Sequence, residues 1–535
     1  MFIKNPKLKR AGTAWVLMVI LGLLAACGAT TAPSTTAPTA GGSAGAAPTA
    51  AGNAAAPTAA AEPAAAADLE PVELILTYRQ QPQPDLQAVQ DAVNKLLKER
   101  INTTVKLNPI DPGAWEERVK LAVAGGEKMD LIFTANWTNN FYQNVAQENF
   151  LPLDDLLTKY APKLLASMTP QVWNAARVNG KIYGVPNQIL FAAPWGIFVR
   201  KDLVEKYKFD VSSVKEYADL EPFLKQIKEN EPDVTPIYSD DRGGGTIFRT
   251  DNYAFEIVGS NSGIAIRQDD PELKAFNVYA TPEFKQAVEL AHKWYEAGYY
   301  TKDPLPQGDA VSAFQAGKYA LGLHLVGEGS EPGLKARYGQ DFVLIPITKD
   351  LYISTSRVTS NMLSVSATSE NPDRAVMLLE LLNSDKEVYR TLVNGVEGKH
   401  WAYVDKAKDV VGFPQGVTAQ TAGYAPAQGY LWGNMLNDFY RDSSLVGLNE
   451  KQMEINRTAT PSAGLGFAPD FSNNTTEVAQ LTAVIGQYAN ALTQGRMDPA
   501  TGLPEFLQKL DQAGINRLLA EVQKQLDAWK ATKNS

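Results

Sequence analysis

Cysteine is nearly absent from this chain: Cys27 is the only one among 535 residues. A lone thiol builds no internal disulfide and no cysteine zinc site. Histidine is scarce as well, and His292, His324 and His400 are widely separated. No His-Glu-x-x-His motif, Walker A loop or Gly-x-Gly-x-x-Gly motif after a strand occurs. Basic residues are in deficit, with 50 Lys and Arg against 59 Asp and Glu and a formal charge of -9. An acidic surface argues against nucleic acid and anionic lipid as partners. The one apolar run, Ala14 to Ala26, falls short of the ~20 residues a spanning helix needs. The rest of the chain is therefore expected to be soluble.

What is present begins at the N-terminus. Lys4, Lys7, Lys9 and Arg10 precede the apolar run, which ends in Leu24-Ala25-Ala26-Cys27. A basic region, an apolar region and small residues at a cleavage point are the parts of an export signal. Leu-Ala-Ala-Cys resembles the lipobox, so residues 1–26 read as a lipoprotein signal peptide and Cys27 as the lipidated residue. Removing four basic residues and no acidic one takes the charge from -9 to -13 (−9 − 4). The stretch from Cys27 to residue 70 is almost wholly Ala, Thr, Pro and Gly. It buries too little to offset chain entropy and reads as a disordered tether. Gly41-Gly42-Ser43-Ala44-Gly45 matches a nucleophile-elbow pattern but has no strand before it.

Beyond the tether, strand and helix patterns alternate. Val72 to Tyr78 reads as a strand and Asp85 to Arg100 as a helix with Leu86, Val89, Val93, Leu96 and Leu97 on one face. Thr103 to Leu107 is β-branched. Asp111 is suited to cap a helix starting at Pro112 and ending at Gly125-Gly126. Met129 to Thr134 is the next strand, running into a loop with Asn136, Trp137 and Asn139. This alternation predicts an α/β sheet with ligand-facing loops beyond the strand ends. Later stripes predict helices over Pro282 to Ala297, from Pro372, and at the C-terminus through Leu518, Leu519, Val522, Leu526 and Trp529.

Several segments together resemble extracellular solute-binding proteins of the maltose-binding type. They are Gly126 to Phe133, Asn179-Gly180-Lys181-Ile182-Tyr183-Gly184-Val185-Pro186, Trp195 to Leu203, Ala313 to Ala320, Asn371 to Ser384 and Gly395 to Trp401. The C-terminal run through Leu503-Pro504-Glu505, Ala513-Gly514-Ile515 and Glu521 to Leu526 resembles the terminal domain of uncharacterised function found in a lipoprotein branch of that family. The resemblance implies a two-lobed α/β clamp with an interlobe hinge and a helix-rich C-terminal region. Lobe one would comprise 71–187 and 325–395, lobe two 188–324 and 396–470, and the C-terminal helical domain 471–535. It also implies a monomer that captures a small molecule, commonly a sugar or oligosaccharide, and delivers it to ABC permease subunits. No cofactor or metal is implied.

A sugar site needs flat apolar faces and planar polar groups. Trp137 leads the candidates, with Asn136 beside it. Arg79, Gln80 and Gln83 lie in the loop after the first strand. Gln188 and Trp195 flank the first crossing between lobes; His324 and Glu328 lie near the second. Trp432 is a further aromatic, with Tyr253 and Asn361 behind it, while His400 and Trp401 fit helix-end packing equally well.

Rival readings are a lipid-anchored glycan hydrolase, which needs only two carboxylates flanking a bond, and a sensor or adhesion subunit using the same clamp. The acidic residues are too many to single out such a pair. Asp240-Asp241-Arg242-Gly243-Gly244-Gly245 lacks the alternating oxygen ligands of a calcium loop and reads as a surface turn.

Overall fold

The strand Val72–Arg79 is covered on both faces: Leu74, Leu76 and Tyr78 are buried on one and Thr77 on the other. Burial on both sides is the mark of a central parallel strand. In the computed structural model, which describes residues 69–259, 262–418, 421–424 and 429–533, it pairs in parallel with Thr103–Ile110 and Leu131–Thr134. Met362–Val365 and Val185–Pro186 extend this sheet in antiparallel sense. The helix Leu86–Ile101 links the first two strands and buries Val89, Val93, Leu97 and Ile101. The signal peptide, Cys27 and nearly all of the tether lie outside the described residues.

A second sheet centres on Trp195–Arg200, antiparallel to both Tyr319–Leu325 and Phe342–Pro346, with Thr235–Ile237 beyond. Gly196 permits that close pairing, because a Cβ there would sit 2.2 Å from the Ile345 carbonyl oxygen. Leu203, Phe223, Leu224, Ile227 and Trp294 pack on this sheet. A third, small sheet joins Phe255–Ile257, Ile264–Arg267 and Phe276–Asn277.

The expected boundaries shift in three places. Phe342–Pro346 belongs to the second sheet, so the chain returns to lobe one after 346 rather than at 325. Residues 396–418, 421–424 and 429–440 lie on lobe one instead of lobe two. They cover the outer side of the helices Pro372–Ser384 and Lys386–Asn394, whose Leu382, Val388, Leu392 and Val393 are buried. The C-terminal helices Thr475–Thr493, Pro499–Gln512 and Ile515–Lys533 do not form a core of their own. Leu481, Leu492, Phe506, Leu510, Leu518 and Val522 share one core with Ile264, Ile266, Phe284 and Val288 of lobe two.

Local differences have local causes. Asp111 does not cap a helix at Pro112; its Oδ1 accepts the Gly113 N–H at 2.7 Å, closing a turn, and the helix runs Trp115–Ala124. The Asp240 loop is not a loose turn. Asp240 is buried and accepts from Tyr238 and from the N–H groups of Arg242 and Gly244, while Gln494 of the C-terminal helices donates to the Asp240 and Gly244 carbonyls.

Three connections join the lobes, near 187–194, 347–354 and 459–463. Tyr352–Ile353 pairs in parallel with Thr460–Pro461. Asn456, on the helix Leu448–Thr458, donates to the Ile189 carbonyl at 2.5 Å and accepts the Phe191 N–H at 2.9 Å. The connections are thus fastened to one another by hydrogen bonds. Among the described residues, no helix is long and apolar enough to cross a membrane.

Candidate interlobe binding cleft

The strand Leu131–Thr134 ends in a loop that its own polar residues hold rigid. Asn139, at φ 40°, donates from Nδ2 to the Phe133 carbonyl at 2.9 Å, and Asn144 donates to its Oδ1 at 3.0 Å. Glu116 accepts from the Thr138 hydroxyl and the Asn139 N–H. With the polar residues turned inward, Trp137 projects outward and is 50% exposed. Its Nε1 donates to the Ser360 carbonyl at 2.7 Å, and Phe133 meets it edge-on at 6.4 Å. Arg79, at the end of its strand, stands 5.5 Å over the indole. Asn136 lines the same recess, but its amide donates to the Ser356 carbonyl and the Thr359 hydroxyl, so it positions the loop.

The opposite wall comes from lobe two. Trp195 opens its strand and carries the Arg249 guanidinium 4.0 Å over its ring, with His324 6.2 Å away. Burial holds His324 below the usual histidine range, and Arg337 and Arg249 add to the effect. Asp251 meets Arg357 at 3.4 Å. Glu256, only 2% exposed, accepts from the Thr355 N–H at 2.7 Å and the Ser462 hydroxyl at 2.5 Å. Burial pushes its carboxyl above the usual range, against the opposing hydrogen bonds. Between the walls lies a cavity of about 240 Å³, reached by Asn136, Trp137 and Tyr142 from lobe one and Thr250, Asp251 and Phe255 from lobe two. Phe467-Ala468-Pro469, which lead into the C-terminal helices, close one side.

A model of the family described as bacterial extracellular solute-binding protein matches residues 91–398. The chain belongs to this family. A second model, a domain of unknown function (DUF3502), matches residues 463–531. A carbohydrate ABC transporter substrate-binding protein of Streptococcus pneumoniae is 28% identical over 472 residues, covering 88% of this chain and 93% of that protein. The crystal structure of the N-glycan transport solute binding protein NgtS, from the same organism, matches with a TM-score of 0.76 at 25% identity, covering 87% of this chain and 100% of that one. The NgtS complex with Man5GlcNAc matches at 0.72 and 26% identity, covering 87% and 99%. The two-lobed fold and the family resemblance read from the sequence are borne out. As a solute-binding protein of an extracellular family, the chain acts on the extracytoplasmic side.

Of the residues singled out in sequence, Trp137 and Asn136 line the cavity and Arg79 stacks on Trp137, while Trp195 and His324 pack beside each other in lobe two next to Arg249. Others lie elsewhere. Trp432 is 2% exposed and packs edge-on against Tyr78 at 4.3 Å, in the core of lobe one. Gln188 is buried in the same lobe, donating to Ser167 and Asn383. Gln80 is buried with its N–H on the Ile110 carbonyl, and the Gln83 carbonyl accepts the Leu86 N–H at a helix start. Glu328 is exposed and paired with Lys451 on the surface. Tyr253 stacks on Phe248, and Asn361 donates to the Ser360 hydroxyl. His400 accepts the Val396 N–H at Nδ1 and meets Asp85 through Nε2, while Trp401 packs on Phe439.

Asp251, Glu256 and Arg357, which line the cavity, and Arg249 beside them were not singled out in sequence. Tyr430 is two residues from Trp432, at a short helical turn that sends one ring against Tyr78 and the other toward Phe133. The sequence signal was the aromatic cluster itself; which ring faced out depended on the turn.

Proposed function

We propose that this protein captures a carbohydrate, a sugar or oligosaccharide, in the interlobe cleft and delivers it to the permease subunits of an ABC importer. The observation that carries the reading is Trp137: a half-exposed indole, held rigid by its loop, facing a cavity between two lobes. Such a ring offers an apolar face to the C–H side of a sugar. The likeness to NgtS, whose structure contains Man5GlcNAc, supports the same ligand class. Closure proceeds about the three connections, and ligand favours the closed state to the extent that it binds that state better.

The cleft carboxylates support binding without catalysis. Asp251 is paired with Arg357, and Glu256 is occupied by backbone N–H groups and Ser462. A glycosidase requires two carboxylates placed on either side of the scissile bond. We further propose a monomer tethered by lipid at Cys27, since the basic region, apolar run and Leu-Ala-Ala-Cys stand in the required order.

Thermal unfolding against a panel of oligosaccharides, amino acids and peptides tests the ligand class. A ligand specific to the folded state stabilises it by ~2.7 kcal/mol at a hundredfold excess over Kd. A shift with one glycan series, recovered intact, supports the proposal. No shift with any sugar contradicts it.

A further inference from the structure

We propose that the ligand is an acidic oligosaccharide, and that Arg79 and Arg249, each stacked on a tryptophan of its own lobe, receive its carboxylate. This rests on the reading of the cleft as a glycan site and narrows it to one chemical class.

The arrangement is asymmetric in charge. Arg79 stands over Trp137 on one lobe and Arg249 over Trp195 on the other, at 5.5 and 4.0 Å. Among the described residues, neither guanidinium group has a carboxylate within 4.0 Å, although other cations of the chain do, including Arg357 on Asp251 and Arg390 on Asp409. The Arg249 Nε is sealed from solvent with no hydrogen-bond partner.

This is a protein with a formal charge of -9, so two cleft guanidinium groups without a direct ion pair run against its overall balance; Asp251, the carboxylate that acts most on Arg249, is itself held by Arg357. A guanidinium held in a partly dry site is stabilised most by a planar anion that takes two parallel N–H bonds. Stacking on tryptophan fixes the plane of each guanidinium while leaving its edge to the ligand. A sugar hydroxyl would satisfy a hydrogen bond there but leave the charge uncompensated. A uronate or other carboxylated sugar satisfies both, with its ring beside Trp137.

The test uses the full chain in detergent and a panel of neutral oligosaccharides, carboxylated oligosaccharides (oligouronides and sialylated glycans) and the methyl esters of the latter. Calorimetry should show a carboxylated glycan binding roughly tenfold or more tighter than its uncharged ester, the size of a charge-assisted contact. The preference should shrink with added salt and in the Arg79→Gln and Arg249→Gln variants, read in each as the ratio of acid to ester affinity. Neutral glycans binding as tightly as the acids, or the variants weakening both classes equally, would overturn the carboxylate assignment and leave the glycan reading intact. Absence of binding to every glycan would remove that reading and the carboxylate assignment with it.

Discussion

Arg249 lies 4.0 Å over the indole of Trp195, a cation stacked on an aromatic ring at the wall of the interlobe cleft. Across the cleft Arg79 repeats the arrangement on Trp137. Trp137 stands just beyond the carboxyl end of its strand, where open α/β sheets place their ligands, and Trp195 opens its own strand opposite Leu325, the carboxyl end of its antiparallel neighbour. The consequences fall on particular side chains.

Trp137→Ala removes a ring that is half in solvent. Its loop keeps the bonds from Asn139, Asn144 and Glu116. Glycan affinity should fall by roughly tenfold or more, about 1.4 kcal/mol. The melting temperature of the unliganded protein should change little. Calorimetry and a thermal melt on the same variant check both halves.

Trp432→Ala should do the reverse. The ring is buried against Tyr78, and truncating a core aromatic costs about 3–5 kcal/mol. Denaturant unfolding should show that loss. A variant as stable as the parent would place Trp432 outside the core.

Glu256 makes stability depend on pH in an uncommon direction. Burial raises its folded-state pKa above that of the unfolded chain. The folded protein therefore holds the proton more tightly, and stability rises as pH falls through the raised value toward the ordinary carboxylate value near 4.3. The gain is complete below the unfolded-state value and lost as pH rises above the folded one. Glu256→Gln removes this contribution. The melting temperature of the parent minus that of the variant should increase from pH 8 to pH 5; a flat difference would contradict the shift.

Asn456 fastens the first interlobe connection through two hydrogen bonds, to Ile189 and Phe191. Asn456→Ala leaves a backbone N–H and a carbonyl without their partner, a loss of about 1–3 kcal/mol. Hydrogen exchange at 189–191 should accelerate while the strands of both sheets stay protected.

Much of the fold could be read from local pattern. The stripe Val89, Val93, Leu97 faces the core as its spacing predicts, and Pro372 opens its helix as its fixed φ favours. Which sheet a strand joins is a non-local matter. Phe342–Pro346 pairs with a strand far earlier in the chain, Phe342 opposite Arg200, and nothing in its own residues names that partner. Likewise the apolar stripe at Leu518 and Val522 marks a buried helix but not that its core is shared with Ile264 and Phe284. At the site, Trp137 was legible because a strand end and a polar loop announced it. Trp432 misled because buried and exposed tryptophans share one letter. Arg249 was hidden in an irregular stretch whose course is set by Asp240 and Gln494.

The most direct measurement is a crystal structure of the protein with the tightest glycan from the melting screen. The account predicts an intact sugar between the lobes, one ring lying on Trp137 and the walls drawn together over it. A glycan seated away from the cleft, or found cleaved within it, would contradict the account.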